Sequence, residues 1–145
     1  MKFLFKKICI ASDHAGFHLK EDIKNFLINK NISIFDLGPI DVTSVDYPDY
    51  AKKVSNRIKS KKSDIGILVC GSGTGMAISA NKTKDIRAAV CYNVKSTRLS
   101  RLHNNANIIC LGSRLTKKNI AFKLMTVFLN TKFEGGRHLR RIKKI

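Results

Sequence analysis

The sequence lacks long apolar runs, paired cysteines and an abundance of acidic residues, and each of these absences excludes a class of protein. No segment approaches the roughly 20 apolar residues that a membrane-spanning helix needs, so we expect no membrane partner. The four cysteines, at positions 9, 70, 91 and 110, form no C-x-x-C pair and have no metal-ligand spacing. We therefore expect reduced thiols, no metal site and a cytoplasmic location.

Acidic residues are scarce beside basic ones, with 10 Asp and Glu against 28 Lys and Arg and a net charge of +18. Such an excess attracts anions, whether phosphorylated metabolites, nucleic acid or acidic membrane surfaces. The lysines are dispersed, however, and only Arg137 to Lys144 is dense in positive charge, so drift toward AT-rich codons explains the balance equally well. No helix-turn-helix or RNP-like pattern is present, and we expect no specific nucleic-acid partner.

Short β-branched apolar runs alternate with helical patterns along the chain, without a linker, a repeat or a low-complexity segment. This alternation predicts an α/β fold, a five-stranded parallel sheet with helices on both faces. At 145 residues, 43% of them hydrophobic, we expect a single domain over residues 1–145 with its own core. The predicted strands cover residues 8–11, 32–37, 65–69, 87–91 and 107–111.

The predicted helices follow from apolar spacing and from residues that favour helix ends. Leu19, Ile23 and Leu27 have the spacing of one helical face. Pro48 suits the first turn of the second helix, and Thr116 is the expected N-cap of a helix over 116–129. The tail after residue 131 is too polar for a core; we predict a C-terminal helix there, with a disordered basic end as the alternative.

The segment Ile65–Gly75 combines a buried strand, a cysteine at its carboxyl end and a glycine-rich loop. Open α/β sheets bind ligands at this position, and the loop amides favour a thiolate, a phosphate or an enediolate oxygen. The spacing of Gly71, Gly73 and Gly75 differs from the dinucleotide fingerprint, and no Lys-Ser or Lys-Thr pair follows. These residues therefore indicate a nest of backbone amides beside Cys70.

Sheet polarity brings other polar side chains toward this thiol. Asp13 and His14 follow the first strand and Cys70 follows the third, so these three side chains are expected in one cleft. The alternative is that Asp13 only caps a helix and His14 lies in a solvated loop. His14 and His18 are four residues apart, but no third ligand accompanies them, and a metal site is not expected.

Two arginines in the basic tail are also candidates for a functional role. Arg137 and Arg141 are four residues apart, so on a helix they share one face and could bind a phosphate. The alternative is that they belong to a solvated terminus.

Motifs along nearly the whole chain resemble those of the type B ribose-5-phosphate isomerase family, which also contains the galactose-6-phosphate isomerase subunits. The resemblance implies a three-layer Rossmann-like fold, no cofactor and a homodimer with its active site at the subunit interface, with or without pairing into tetramers. The matching motifs are Ser12–Gly16, Asp46–Pro48, Cys70–Gly73, Ala80–Lys82, Arg87–Ala88, Leu99–Asn104, Leu111–Arg114 and Glu134–His138.

The resemblance also implies roles for single residues. Cys70 is similar to the base that moves a proton between C1 and C2 of the sugar, and Asp13 and His103 to the pair that assists ring opening. Some members use a glutamate after the glycine loop, where this chain has Met76. The residues implied as the enediolate cradle are Gly71, Ser72, Gly73, Thr74 and Gly75, with Ser72 also catalytic. The other implied substrate contacts are His14, Tyr47, Asn104, Arg114, Arg137 and Arg141.

The expected function is therefore an aldose–ketose isomerase of the pentose phosphate pathway, which interconverts ribose 5-phosphate and ribulose 5-phosphate through an enediolate. One alternative is a galactose-6-phosphate isomerase subunit, although such enzymes usually combine two different chains. A basic α/β module that binds nucleic acid is the alternative from another class.

Overall fold

The computed structural model describes residues 2–145 and contains one parallel five-stranded sheet. Its strand order is β2-β1-β3-β5-β4, and every neighbouring pair is parallel. The sheet thus confirms the predicted α/β fold and aligns the carboxyl ends of all strands along one edge. The strands are β1 (Ile8–Ser12), β2 (Ile34–Asp36), β3 (Ile65–Cys70), β4 (Ala88–Val90) and β5 (Ile108–Gly112).

Helices cover both faces of the sheet because alternate strand residues point to opposite sides. Residues of α1 and α5 form one apolar cluster with Ile10 and Ile67, while α2 and α3 form the other with Ala11 and Leu68. The short α6 confirms the predicted tail helix. The helices are α1 (Phe17–Ile28), α2 (Tyr47–Lys59), α3 (Thr74–Ala80), α4 (Val94–Leu102), α5 (Lys118–Asn130) and α6 (Arg137–Ile142).

The start of α5 differs from its prediction. The helix begins at Lys118, its N-cap position is Lys117, and no side chain caps it, so the assignment of Thr116 as N-cap was wrong. The amide of Thr116 instead donates to the carbonyl of Gly112 at 2.9 Å. Thr116 therefore closes the turn after β5 and precedes the helix by two residues.

The predicted packing roles of two cysteines are confirmed. Cys9 and Cys110 are fully buried in the apolar cluster on the α2–α3 face. Burial raises the pKa of Cys9 to about 11 and that of Cys110 well above its ordinary value. These thiols stay neutral near pH 7 and pack as small hydrophobic groups.

A buried ion cluster supports the loop between β2 and α2. Lys20 is fully buried, and its Nζ lies 2.8 Å from Asp36 Oδ2. Burial alone would raise the pKa of Asp36, but hydrogen bonds from Lys20 and Lys24 leave it lowered. The other Asp36 oxygen accepts from the amide of Gly38, whose carbonyl accepts from the amide of Ser12. The cluster thereby fixes the backbone that leads into Asp13.

None of the helices formed within residues 2–145 combines the length and apolar character that crossing a membrane requires.

Candidate active site

A cavity of about 430 Å³ lies at the carboxyl edge of the sheet, where β1, β3 and β5 end. It brings together a thiol, a carboxylate, a phenol and a guanidinium. The expectation that Asp13, His14 and Cys70 share one cleft is confirmed for Asp13 and Cys70 but not for His14, which does not line this cavity. The lining residues are Asp13, Tyr47, Cys70, Gly71, Ser72, Gly75, Arg114 and Leu115.

Cys70 is the last residue of β3, the middle strand of the sheet, and its thiol faces the amides of the following loop. The N–H of Gly73 points at Cys70 Sγ over 3.1 Å. Gly73 adopts φ of +80°, in the left-handed region that favours glycine, and this turn aims the amide back toward the sulfur. A hydrogen bond from a backbone amide stabilises a thiolate relative to a thiol. Cys9 Sγ instead donates to the carbonyl of Ile65 at 3.7 Å, and Cys110 is fully buried, so the surroundings of these thiols differ from those of Cys70.

The glycine-rich loop is held by the loop that follows β5. The amide of Ser113 donates to the carbonyl of Cys70 at 2.8 Å, and the amide of Arg114 to that of Gly71 at 3.0 Å. Ser72 is exposed, and its Oγ accepts from the amide of Thr74 at 3.2 Å. These contacts fix the amide nest before a ligand arrives, so it needs little reorganisation to stabilise an oxyanion.

Asp13 lines the cavity as expected, but it does not cap α1, whose N-cap position is Gly16 without a side-chain hydrogen bond. Asp13 Oδ1 accepts from the amide of Gly16 at 2.9 Å, just before α1 begins. Its own amide donates to the carbonyl of Val69, which ties the end of β1 to β3. The carboxylate is thus held in a defined orientation at the cavity wall.

His14 and Tyr47 lie beside this carboxylate but are placed differently. His14 Nδ1 accepts from the amide of Val45 at 3.2 Å, and the imidazole is not among the groups that line the cavity. The Tyr47 ring packs on Gly75, where an added Cβ would lie 2.8 Å from the ring. Gly75 therefore lets the phenol approach the glycine-rich loop closely.

His103 and Asn104 lie at the opposite edge of the sheet. Helix α4 begins beyond the carboxyl end of β4 and runs back along the sheet, so His103, its C-cap, lies near the start of β5. The carbonyl of Asn104 accepts from Nε of Arg87, the residue that precedes β4. Within one chain these two side chains are therefore separated from Cys70 by the length of the strands.

The basic tail packs on this same amino edge. The amide of Glu134 donates to the carbonyl of Leu102 at 3.0 Å, and the His138 imidazole stacks on that of His103 with centroids 4.2 Å apart. Arg137 and Arg141 are exposed on α6, and neither forms an ion pair with a carboxylate within residues 2–145. The tail is thus folded, and two guanidinium groups project from it.

Sequence reasoning missed three residues at these positions. Leu115 lines the cavity beside Arg114 and is exposed. Its position shortly after the last predicted strand could have identified it from the sequence. Glu134 and His138 lie inside a motif that matched the family, yet no role was assigned to them. Their contacts with His103 depend on the path of the tail, which local sequence patterns do not reveal.

A parallel α/β sheet with a thiol, a carboxylate and an amide nest at its carboxyl edge defines an enzyme that acts on small anionic metabolites. The chain belongs to the ribose/galactose isomerase family, whose pattern matches residues 8–145. The resemblance noted from the motifs is thereby confirmed.

Individual relatives agree over nearly their whole length. The chain is 39% identical over 140 residues to the ribose-5-phosphate isomerase B of Escherichia coli, covering 97% of this chain and 94% of that protein. A ribose 5-phosphate isomerase structure from Thermotoga maritima superposes with a TM-score of 0.94 at 54% identity, covering 95% of each chain. The Mycoplasma genitalium ribose-5-phosphate isomerase B, solved with bound ribulose-5-phosphate, has a TM-score of 0.90 at 44% identity, covering 94% of this chain and 91% of that one.

Proposed function

We propose that this protein interconverts ribose 5-phosphate and ribulose 5-phosphate, with Cys70 as the base that moves a proton between C1 and C2. The observation that carries the proposal is the Gly73 amide directed at Cys70 Sγ, in a cavity that also holds Asp13 and Ser72. A base and preorganised oxyanion donors are what proton transfer beside a carbonyl requires. The matching family and its substrate-bound relative support the sugar phosphate as substrate.

We further infer that two copies of the chain build each site. The carboxyl edge of one copy holds Cys70 and Asp13, while His103, Arg137 and Arg141 project from the amino edge. In a two-fold dimer the same pair of surfaces meets twice, so each cleft receives the tail of the other copy. A homodimer thus has two equivalent sites. Each site combines the carboxyl-edge side chains of one copy with the amino-edge side chains of the other.

Exposed apolar residues around the cleft support this assembly. The loops at the carboxyl edge expose Ile40, Tyr92 and Leu115, of which Ile40 is 93% exposed. The tail contributes Leu139, which is 42% exposed and lies between the two candidate arginines. An interface at the cleft would bury these apolar side chains, as protein interfaces typically do. The four free cysteines, meanwhile, support a reducing cytoplasmic location.

In the proposed reaction the cyclic sugar first opens. Asp13 and the other copy's His103 exchange protons with the anomeric hydroxyl and the ring oxygen, which frees the C1 aldehyde. The bond from Gly16 fixes the Asp13 carboxylate, and stacking on His138 fixes the His103 ring. Both groups are therefore oriented before the sugar arrives.

The open-chain aldehyde is then isomerised. The Cys70 thiolate removes the proton from C2, and the electron pair moves to the carbonyl oxygen to give a cis-enediolate. Amides of residues 71–75 donate hydrogen bonds to the enediolate oxygens, a proton passes from the C2 hydroxyl to O1, and the thiol returns a proton to C1. Tyr47 and the other copy's Asn104 orient the sugar hydroxyls, so the two carbons face the sulfur.

The phosphate supplies binding energy away from the reacting carbons. Arg137 and Arg141 contact it from the tail, and Arg114 and His14 from the carboxyl edge. Guanidinium groups bind phosphate through paired hydrogen bonds. Binding at this remote end orients a flexible open-chain substrate for proton transfer.

Loss of one tail arginine is expected to weaken substrate binding. Arg137→Ala should reduce affinity for ribose 5-phosphate by roughly 1.5–3 kcal/mol, the range for a charged hydrogen bond. Titration calorimetry measures the change. Lys144→Ala is the matched control, because Lys144 is an exposed tail cation outside the proposed site and should alter affinity little. Equal effects of both substitutions would mean that the tail acts only through its charge.

The proposed function is tested by assaying the purified protein against several sugar phosphates, with and without a chelator. Turnover of ribose 5-phosphate that persists with chelator is the expected result. A preference for galactose 6-phosphate would instead assign the chain to the other branch of the family. Binding to random DNA should be weak and fall steeply with salt, as an incidental effect of the net charge.

A further inference from the structure

Two imidazoles and a carboxylate converge at the amino edge of the sheet, away from Cys70. Glu134 Oε2 lies 3.8 Å from His103 Nε2 and 3.6 Å from His138 Nε2. The three ligand atoms all lie within 4.8 Å of one another. We call His103, Glu134 and His138 the tail triad. Imidazole and carboxylate are among the groups that bind zinc in proteins.

One member of the tail triad has no hydrogen-bond partner. His138 Nε2 is shielded from solvent and unpaired, and the His138 side chain is only 8% exposed. A buried imidazole nitrogen without a partner costs free energy, which a ligand at this position would recover. His138 Nε2 faces the Glu134 carboxylate. A ligand bound between these two groups would therefore contact both.

We propose that His103, Glu134 and His138 bind a zinc ion, and that this ion opposes turnover. Donors at about 2.0–2.1 Å from a tetrahedral zinc lie roughly 3.3 Å apart. The 3.6 and 3.8 Å separations in the structure are close to that value. His103 is 38% exposed and can turn from its stacked position to complete the set, which leaves the fourth coordination position open.

The chemistry of the tail triad favours a cation at this point. Glu134 is the only acidic residue after Asp85, and its carboxylate lies between the two imidazoles. A carboxylate repels an anion at that position and neutralises part of the charge of a divalent cation. Arg137 and Arg141 lie on the same short helix, near enough to act on His138 electrostatically, and their guanidinium groups are suited to phosphate, so phosphate and zinc would use different groups of one tail.

The backbone holds the tail triad together. The amide of Glu134 donates to the carbonyl of Leu102, next to His103, and Nε of the buried Arg101 donates to the carbonyl of Thr131. Arg101 also donates to the carbonyl of Ala106 at 2.6 Å, which anchors the turn after α4. The end of α4 and the tail thus form one rigid frame, in which rotation of the His103 ring completes the ligand set.

The effect on turnover rests on the proposed function. When zinc occupies the lone pair of His103 Nε2, that nitrogen can no longer exchange a proton with the cyclic sugar. Ring opening should slow, while Cys70 in the other cleft is untouched. The proposed metal is therefore an inhibitor that competes with catalysis rather than a cofactor.

The binding site is tested by titrating the full-length protein with zinc in the presence of a chromogenic chelator and without substrate. We expect one zinc ion per chain. Glu134→Gln and His138→Asn should each lower zinc affinity by at least about tenfold. Glu134 is exposed, so its substitution leaves the fold intact and keeps the test valid if the buried His138→Asn variant unfolds.

Two matched variants exclude other ligands. His18→Asn removes an exposed imidazole outside the tail triad, and Cys70→Ala removes the thiol of the cleft. Both should bind zinc as the unmodified protein does, and cobalt bound in place of zinc should give no thiolate charge-transfer band. Wild-type zinc affinity in Glu134→Gln, or loss of binding in Cys70→Ala, would overturn the proposal.

A second measurement tests inhibition separately from the proposed function. The ratio of turnover with and without zinc should fall for the unmodified protein, recover with chelator and stay near one for Glu134→Gln. Zinc that binds to the tail triad without slowing an active enzyme would overturn the inhibitory role. A protein that binds zinc but turns over no sugar phosphate would instead contradict the proposed function alone.

Discussion

Replacement of Cys70 by alanine is expected to lower kcat by about 10²–10⁴-fold, the range for a lost general base. No acidic side chain directly after the glycine loop replaces the thiolate, because Met76 occupies that position. The variant should keep its fold and its affinity for the phosphorylated sugar, since the tail arginines are untouched. Steady-state kinetics, calorimetry and circular dichroism measure these three quantities.

Cys110→Ala is the matched control for this substitution. Cys110 is a fully buried thiol on the adjacent strand β5 and lies in the same apolar cluster as Cys70. Its replacement should lower the free energy of unfolding by roughly 1 kcal/mol, through loss of buried apolar volume, and leave kcat nearly unchanged. Near-normal turnover of the Cys70→Ala protein would show that another group is the base.

Mixing two inactive variants is expected to restore about a quarter of the unmodified activity in the randomly paired population and about half in purified mixed dimers. One variant is Cys70→Ala, and the other combines Arg137→Ala with Arg141→Ala. Random pairing makes about half of the dimers mixed, and each mixed dimer has one cleft with both an intact thiol and the other copy's intact arginines. Coexpression with two affinity tags allows the mixed dimer to be purified and assayed at low substrate concentration.

The control for complementation uses two variants from the same half of the site. Cys70 and Asp13 both line the carboxyl-edge cavity, so every cleft in a Cys70→Ala and Asp13→Ala mixture lacks one of them. This mixture should stay inactive. Failure of the first pair to recover activity, or a recovery by both pairs, would contradict a site shared in the proposed way.

The sequence predicted both ends of β1, β3, β4 and β5 to within one residue, and only β2 was predicted too long by more than that. Strands β1, β3 and β5 are buried on both faces, so their continuous apolar runs marked their positions to within one residue. Strands β2 and β4 lie at the sheet edges and pair on one side only. Each has three residues, whereas the predictions were 32–37 and 87–91, and the amides of Leu37 and Cys91 still donate to the neighbouring strands just beyond the strand ends.

For the candidate site too, local sequence patterns predicted some residue positions, while others depend on contacts between distant parts of the chain. Strand polarity was enough to place Asp13 near Cys70, and the glycine spacing was enough to place an amide nest beside the thiol. The position of the tail at the opposite edge was not predictable. It depends on the Glu134–Leu102 hydrogen bond and on the stacked imidazoles of His103 and His138, none of which leaves a periodic pattern in sequence.

The central claim, proton transfer by Cys70 through an enediolate, is tested most directly by nuclear magnetic resonance in deuterium oxide. Ribulose 5-phosphate is supplied to the unmodified protein, and the ribose 5-phosphate that forms is examined at C2. We predict product that carries deuterium at C2, because the thiol exchanges its proton with solvent before returning one, and formation at least about 10²-fold slower by Cys70→Ala. Absence of ribose 5-phosphate, or deuterated product formed equally fast by the Cys70→Ala protein, would contradict the account.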